Sequence, residues 1–291
     1  MSFLAEMAAG SRTRVTEARR RAPESVLRAR IHELPPPPSI ARHADGFDLI
    51  AEVKLRSPAA GSLSRAGGED AGTRAAAYAR AGAAGVSVLT EPRRFDGAME
   101  HLEGAAKALA PLRIPAMRKD FLVDPYQVLE ARVAGAGGVL VILRMLTRRE
   151  LDAILDATEE LALFALLEAF DANDLELAHE VLAARPRERL LVGLNCRDLA
   201  TLQIVPDRLI DLADRLPRGA PRVAESGVTT ADDAARVAAA GYDFALVGSA
   251  LMRAPDSAVL VREMLAAGRA ARRPPHPSLS PASGGEGAEG G

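Results

Sequence analysis

Eight short apolar runs, each followed by a helix-like segment, constrain this chain more than any other feature. The runs read FDLIAEV, AGVSVLT, RIPAM, GGVLVIL, ALFALLE, LLVGL, APRVAE and YDFALVG. Between them lie segments such as AGTRAAAYARAGA, DPYQVLEARVAGA, TRRELDAILDATEEL, DANDLELAHEVL and TTADDAARVAAAG. Strands that are apolar on both faces must be covered on both faces, so strict alternation with helices predicts a parallel sheet wrapped by helices. Several helical segments close on Ala-Gly, where a helix C-terminus favours a glycine. Thr230 before ADD and Asp171 before AND are expected N-caps, and Asp124-Pro125 opens another helix. Eight such units fit an α/β fold of the closed (β/α)8 TIM-barrel type. No GxGxxG follows the first run, which argues against an open dinucleotide-binding sheet.

The ends of the chain differ from this rhythm. Residues 1–45 form a basic, helix-like extension that closes in ELPPPPSIARH, and four consecutive prolines stop a helix and make a stiff linker. Residues 46–271 hold the barrel. Residues 272–291, RRPPHPSLSPASGGEGAEGG, carry almost no large apolar side chain and are expected to form a disordered tail without a functional role. A net charge of −2 gives no broad field for nucleic acid. The single cysteine, Cys196, excludes an internal disulfide and a multi-cysteine zinc site. It fits a reducing cytoplasm, and it reads as a buried small hydrophobe without chemistry. No apolar run is long enough to span a bilayer and no signal peptide is evident, so a cytoplasmic chain with no membrane or nucleic-acid partner is expected.

In a barrel of this kind, catalysis sits at the C-terminal ends of the strands. Strand one ends in Glu52-Val53-Lys54, and alternation puts Glu52 and Lys54 on one face. Strand two ends in Thr90-Glu91-Pro92, strand three in Lys119 and strand five in Glu168. Strand six ends in Asn195-Cys196-Arg197, with Asn195 and Arg197 sharing a face. Strand seven ends in Glu225-Ser226-Gly227 and strand eight in Gly248-Ser249. A lone charge at a strand end is often merely solvated; the case for a site rests on several converging on one mouth. Asp120 and Asp124 read as turn and cap residues. Gly227 and the pair Gly248-Ser249 each precede a helix, which suits a phosphate site after strands seven and eight.

Six motifs in order across residues 45–255 resemble the indole-3-glycerol-phosphate synthase family. They are IAEVKLRSPAAG, VSVLTEPRRFDGAMEHL, RKDFLVDPYQVLEARVAGA, GLNCRDLATL, VAESGVTT and LVGSALMR. The resemblance implies ring closure of 1-(2-carboxyphenylamino)-1-deoxyribulose 5-phosphate with loss of CO2 and water, in tryptophan biosynthesis, with no metal and no cofactor. It implies a catalytic group of Glu52, Lys54, Lys119, Glu168 and Asn195. Lys119 resembles the general acid of ring closure and Glu168 the base of the later dehydration, while which lysine donates in which step stays open. Glu52 and Asn195 resemble the residues that orient and stabilise the cationic intermediate. Lys54 and Arg197 suit the anionic groups of the substrate. Phe121 would wall the anthranilate ring, with Glu225 and Ser226 also among the substrate-binding residues. Ser57, Gly227, Gly248 and Ser249 resemble the phosphate cradle. Residues 1–45 match the position of the family's capping extension.

The pattern departs from the family at Leu55-Arg56, at Ala59 and at Ala169-Phe170, which puts the grip of the first loop in question. A crowd of cations is expected around Lys119, lowering its pKa and leaving stability unharmed when it is replaced. The resemblance also implies a phosphorylated small-molecule substrate, supplied by a phosphoribosylanthranilate isomerase on a separate chain; a monomer is compatible with this reading. Two rival readings remain at this point: another phosphate-binding barrel, an isomerase or an aldolase, and a silent barrel serving as an interaction module.

Overall fold

Each of the eight apolar runs forms a strand in the computed structural model, which describes residues 2–44, 46–57, 61–62, 70–185, 188–198 and 201–272, with the backbone alone at 57, 61 and 62. The strands are β1 (Asp48–Val53), β2 (Gly85–Leu89), β3 (Ala116–Lys119), β4 (Gly138–Ile142), β5 (Phe164–Ala169), β6 (Leu190–Asn195), β7 (Arg222–Glu225) and β8 (Phe244–Val247). All neighbours are parallel. The ring closes because β1 pairs on one side with β2, Ile50 opposite Gly85, and on the other with β8, Asp48 opposite Phe244. The expected (β/α)8 barrel is therefore the observed fold.

Strand periodicity of two sorts the side chains into two cores. Leu49, Ala51 and Val53 point out against the helices, as do Ala165 and Leu167. Ile50, Met117, Leu140, Leu166, Leu191 and Leu246 point in and fill the barrel. Burying each such side chain stabilises by about 1.5–3 kcal/mol. The rings of Phe164 and Phe244 belong to this interior plug. Gly138 makes room for the first: a Cβ there would overlap the Phe164 ring.

The N-terminal extension contributes α1 (Phe3–Arg21) and α2 (Glu24–His32), followed by the proline-rich segment that leads into β1. Around the barrel lie α3 (Ala71–Arg80), α4 (Met99–Leu109), α5 (Tyr126–Val133), α6 (Arg148–Glu160), α7 (Ala172–Ala184), α8 (Ala231–Ala239) and α9 (Ser257–Arg272). Asp171 and Thr230 cap α7 and α8 as the sequence predicts, their side chains accepting from backbone N–H groups of the first turn. Gly135 and Gly241 end α5 and α8 with φ of 85° and 98°, a region closed to most side chains.

Helix α1 docks through one face. Met7, Ala8, Ser11 and Val15 are buried, a helical spacing. Beside this stripe Arg14 forks onto Asp120 at 2.7 and 3.0 Å, and Arg19 forks onto Asp124 at 2.8 and 2.9 Å. Gln127 donates to the Ser11 hydroxyl at 2.9 Å. Asp124 stands one residue before the N-cap position, Pro125, and accepts from the Tyr126 N–H in the turn that leads into α5. Asp120 is more than a turn residue. Fully buried, it also accepts from Thr90, Arg118 and the Phe121 N–H.

At the other end of the chain, α9 runs one residue into the segment expected to be tail: Arg272 bonds Asp243 at 3.0 Å. Residues 273–291 lie outside the described residues. Arg269 bonds Asp48 at 2.7 Å and the Phe47 carbonyl at 3.1 Å, tying the last helix to the start of β1.

The Asp120 network sets a pH dependence. Burial would raise this carboxyl, but Arg118 and Arg14 outweigh it and bring its pKa down to about 2 from 3.8. Its contribution is present above pH 3.8 and is lost as pH falls through 2. Removing one partner of a buried ion pair costs about 3–5 kcal/mol, so Asp120→Ala should lose that much stability at pH 7 by urea denaturation. The gap between variant and parent should narrow between pH 4 and pH 2; a gap constant with pH would refute the assignment.

Candidate active site

The inward positions at the C-terminal ends of the strands change from apolar to polar within two residues. On β1 the inward sequence is Ile50, Glu52, Lys54; on β3 it is Met117, Lys119, Phe121; on β5 it is Leu166, Glu168. β6 adds Asn195, with Arg197 just beyond, and β7 adds Glu225. These side chains line one cavity of about 580 Å³ with Ser226, Gly227, Gly248 and Ser249. Every site residue expected from the sequence lies there except Ser57. Its backbone pairs with Gly61 in a two-residue ribbon beyond β1; the expectation for its side chain, like that for Ala59, lies outside the described residues.

Lys119 is the centre of the cluster. Its Nζ lies 2.9 Å from Glu225, 3.6 Å from Glu168 and 4.0 Å from Glu52. Lys54 pairs with Glu52 at 2.9 Å. Asn195 donates to Glu168 at 2.7 Å and accepts from the Arg197 N–H at 2.9 Å. The Arg197 guanidinium donates to the Leu202 carbonyl at 2.7 Å. Cys196 faces away from the mouth, buried among outer-layer side chains, and burial pushes its thiol up.

The surroundings of Lys119 correct the expectation of a cationic crowd. Burial alone would lower its pKa, but Glu225, Glu168 and Glu52 outweigh burial and push it above the ordinary lysine value. The ammonium is held in place, not weakened. Burial would likewise raise Glu52, yet Lys54 and Lys119 keep it below the usual carboxylate range. Glu225 goes the other way. Burial pushes it up to about 8, with the charge of Glu168 adding to the shift and Lys119 opposing it only in part. Glu225 thus gives up its proton less readily than Glu52, and its buried Oε1 has no hydrogen-bond partner among the described residues.

Two glycines make this crowding possible. A Cβ on Gly193 of β6 would overlap Glu225 Oε1, and a Cβ on Gly248 would overlap Glu52 Oε1. Gly248 was read from the sequence as a phosphate contact; what the structure shows of it is the space into which Glu52 turns. After β7 the chain turns sharply, with φ of 65° at Ser226 and 72° at Gly227. A Cβ on Gly227 would lie 2.9 Å from the Cys196 sulfur, so the loop sits directly on the end of β6.

The remaining wall is apolar. Phe121 is buried, with Phe3 edge-on at 5.9 Å and Phe95 tilted at 6.2 Å. Leu4, Leu140, Ile142 and Phe170 continue the surface. Sequence reasoning found Phe121 and missed Phe3 and Leu4, because nothing local in α1 says which barrel loop it will cover. Phe95 was within a quoted motif, and its place after the second strand was the available signal. Phe170, one of the departures from the family pattern, stacks under the Arg144 guanidinium at 5.1 Å. The Leu55-Arg56 departure lies at the rim, where Arg56 approaches Asp96 at 3.5 Å. Among the described residues no helix is long and apolar enough to cross a membrane.

Comparison with known proteins adds a second line. The family model described as indole-3-glycerol phosphate synthase matches residues 4–264. A protein of that name from Parafrankia is 37% identical over 270 residues, covering 92% of this chain and 97% of its own. One from Micrococcus luteus is 40% identical over 268 residues, covering 89% and 96%. Among solved structures, 3-hexulose-6-phosphate synthase from Salmonella typhimurium superposes with a TM-score of 0.57 at 15% identity, covering 76% of this chain and 98% of its own. That likeness concerns the barrel fold alone.

Two outcomes follow from the site. The stability that Glu225 gains by holding its proton is fully present below pH 4.5 and is lost as pH rises through 8. Glu225→Gln cannot titrate, so its stability relative to the parent should climb between pH 5 and pH 8, by at most about 4 kcal/mol at about 1.4 kcal/mol per pH unit. Thermal melts across that range would show a flat difference if the proton is not there. Gly248→Ala should displace Glu52 and lower kcat by at least about tenfold, since misplacement by about 1 Å can cost about a hundredfold. Unchanged kcat in a folded Gly248→Ala protein would mean that Glu52 has room to spare.

Proposed function

We infer how this site works from one premise: the chain belongs to the indole-3-glycerol phosphate synthase family. Its activity is that of a carboxy-lyase of tryptophan biosynthesis, closing the ring of 1-(2-carboxyphenylamino)-1-deoxyribulose 5-phosphate and releasing CO2 and water. The roles of individual residues are our proposal.

The carrying observation is an ammonium, Lys119, fixed among three inward glutamates between an aromatic wall and the sharp Ser226-Gly227 turn. Ring closure needs a proton delivered to the ketone oxygen as the carboxyl-bearing ring carbon attacks the carbonyl carbon. Lys119 supplies that proton. The bond to the carboxyl carbon then breaks, CO2 leaves, and its electron pair restores the aromatic ring. Phe121, Phe3 and Phe95 hold the ring and keep water from the departing carboxylate. Positive charge that builds on the nitrogen side faces Glu52, and Asn195 holds Glu168 in place by its 2.7 Å bond.

Dehydration needs a base and a second proton. Glu168 takes the proton from the ring system, and the new hydroxyl departs as water with a proton returned to it. Glu225, whose carboxyl is pushed up by burial, is a second proton source beside Lys119. Lys54 and Arg197 face the anionic groups of the substrate. Ser57, Ser226, Gly227, Gly248 and Ser249 form the phosphate cradle, where backbone N–H groups complement a dianion. An aldolase mechanism is disfavoured, because a Schiff-base lysine must be neutral to attack, and the carboxylates keep Lys119 charged.

The substrate is a phosphorylated small molecule. We place the chain in the cytoplasm, acting as a monomer on material supplied by a phosphoribosylanthranilate isomerase on another chain. A phosphate dianion does not cross a bilayer unaided, so supplier and consumer share a compartment.

Lys119→Met keeps the stem and removes the proton. General-acid catalysis contributes roughly 10²–10⁴-fold, so kcat, followed by indole fluorescence from the carboxyphenylamino-deoxyribulose phosphate, should fall by that factor with a smaller change in KM. Stability should fall as well, because Glu52, Glu168 and Glu225 lose their shared partner. A kcat near that of the parent would move the acid role to Lys54.

A further inference from the structure

We propose that Arg14 and Asp120 are positioning residues for Lys119 and Phe121, making helix α1 a working part of the active site. The proposal rests on the assignment of Lys119 as the acid.

The argument begins with alternation at the end of β3. Lys119 and Phe121 face the cavity, so the Arg118 guanidinium and the Asp120 carboxylate turn outward, onto each other and onto Arg14, although Asp120 still edges the cavity wall. Whatever holds the outward pair sets the direction of the inward pair. Arg118 is held by the Gln127 carbonyl at 2.8 Å, Glu130 at 3.1 Å and the Thr90 hydroxyl at 3.2 Å. Asp120 is held from four directions. Arg14 of α1 reaches both carboxylate oxygens, Thr90 at the end of β2 donates at 2.8 Å, Arg118 at 3.2 Å, and the Phe121 N–H at 2.8 Å. The last bond joins the carboxylate directly to the backbone of the aromatic wall.

Beyond Lys119 no strand continues, so ladder hydrogen bonds no longer fix the backbone. The carboxylate takes over that task, and a bidentate fork restrains it in angle as well as distance. The donor comes from 106 residues away in the chain. The same helix sets the Phe3 ring edge-on to Phe121 and puts Leu4 into the cavity. A shift of α1 therefore moves Asp120, and with it the segment from Lys119 to Phe121. Other ties of α1, such as Arg12 to Glu150 and Arg19 to Asp124, end on residues that do not line the cavity.

The test uses the full chain and Arg14, whose partly exposed side chain can be changed without opening the core. Arg14→Met should lower kcat at least tenfold, on the scale of about a hundredfold per ångström of misplacement, while KM stays within about threefold. Arg14→Lys, which keeps the charge and loses the fork, should fall between the two. Added methylguanidinium should restore part of the kcat of Arg14→Met and none of that of Lys119→Met. Arg28→Met, which breaks the exposed pair with Glu160, should leave kcat at the parent value. All rates are compared well below each variant's melting temperature. A folded Arg14→Met protein with the kcat of the parent overturns the proposal, as does a kcat loss matched by Arg28→Met. If Lys119→Met itself retains activity, the acid assignment fails; if it is inactive while Arg14→Met is normal, only the positioning role fails.

Discussion

A carboxylate taken out of water requires a nearby cation or a proton, and three of them face inward at one end of this barrel. Lys119 answers part of that demand, Lys54 another part, and the readiness of Glu225 to keep its proton the rest. The site is thus neutralised by charges that the chemistry itself can use. A substrate that brings its own carboxylate and phosphate enters a cluster already close to balance, and it can compete with the glutamates for the same ammonium groups. The ground state of the empty site and the proton inventory of the reaction are one electrostatic problem.

That problem is solved by close approach. Gly193 and Gly248 give Glu225 and Glu52 the volume that a side chain would occupy, and Gly138 does the same for the interior ring of Phe164. Below, the apolar plug fixes the floor; above, α1 brings an aromatic edge and an arginine fork to the segment that carries the acid. Polar groups in such a place stay useful only if they cannot relax towards one another, and each of these contacts removes a direction in which they could.

Much of this could be read from the chain. The eight runs and their helical partners gave the barrel, because strands buried on both faces admit few other arrangements. Alternation then put Glu52 with Lys54 and Asn195 with Arg197, and the rule for strand ends brought Lys119, Glu168 and Glu225 to the same mouth. What failed was proximity. Residue types at a rim do not say which lie within 4 Å of which, so a mixed mouth of glutamates, lysines and an arginine was expected to act on Lys119 mainly through its cations, and three glutamates stand nearest to it instead. Asp120 looked like a turn residue because its main partner, Arg14, is remote in sequence. Phe3 was invisible for the same reason: the docking of α1 is a tertiary event with only the face containing Met7, Ser11 and Val15 to announce it.

The ring also has a seam. β1 and β8 meet across roughly the whole length of the catalytic domain, Asp48 opposite Phe244, and the α9 arginine Arg269 crosses the junction to Asp48. During synthesis the first strand must wait, one edge unpaired, until the last strand and its helix have left the ribosome. Such sequence-distant pairing is slow, and a bare parallel edge is a template for sticking to other chains. Any break that separates α9 from β1 would therefore harm the yield of native protein before it touched the chemistry at the opposite end of the strands.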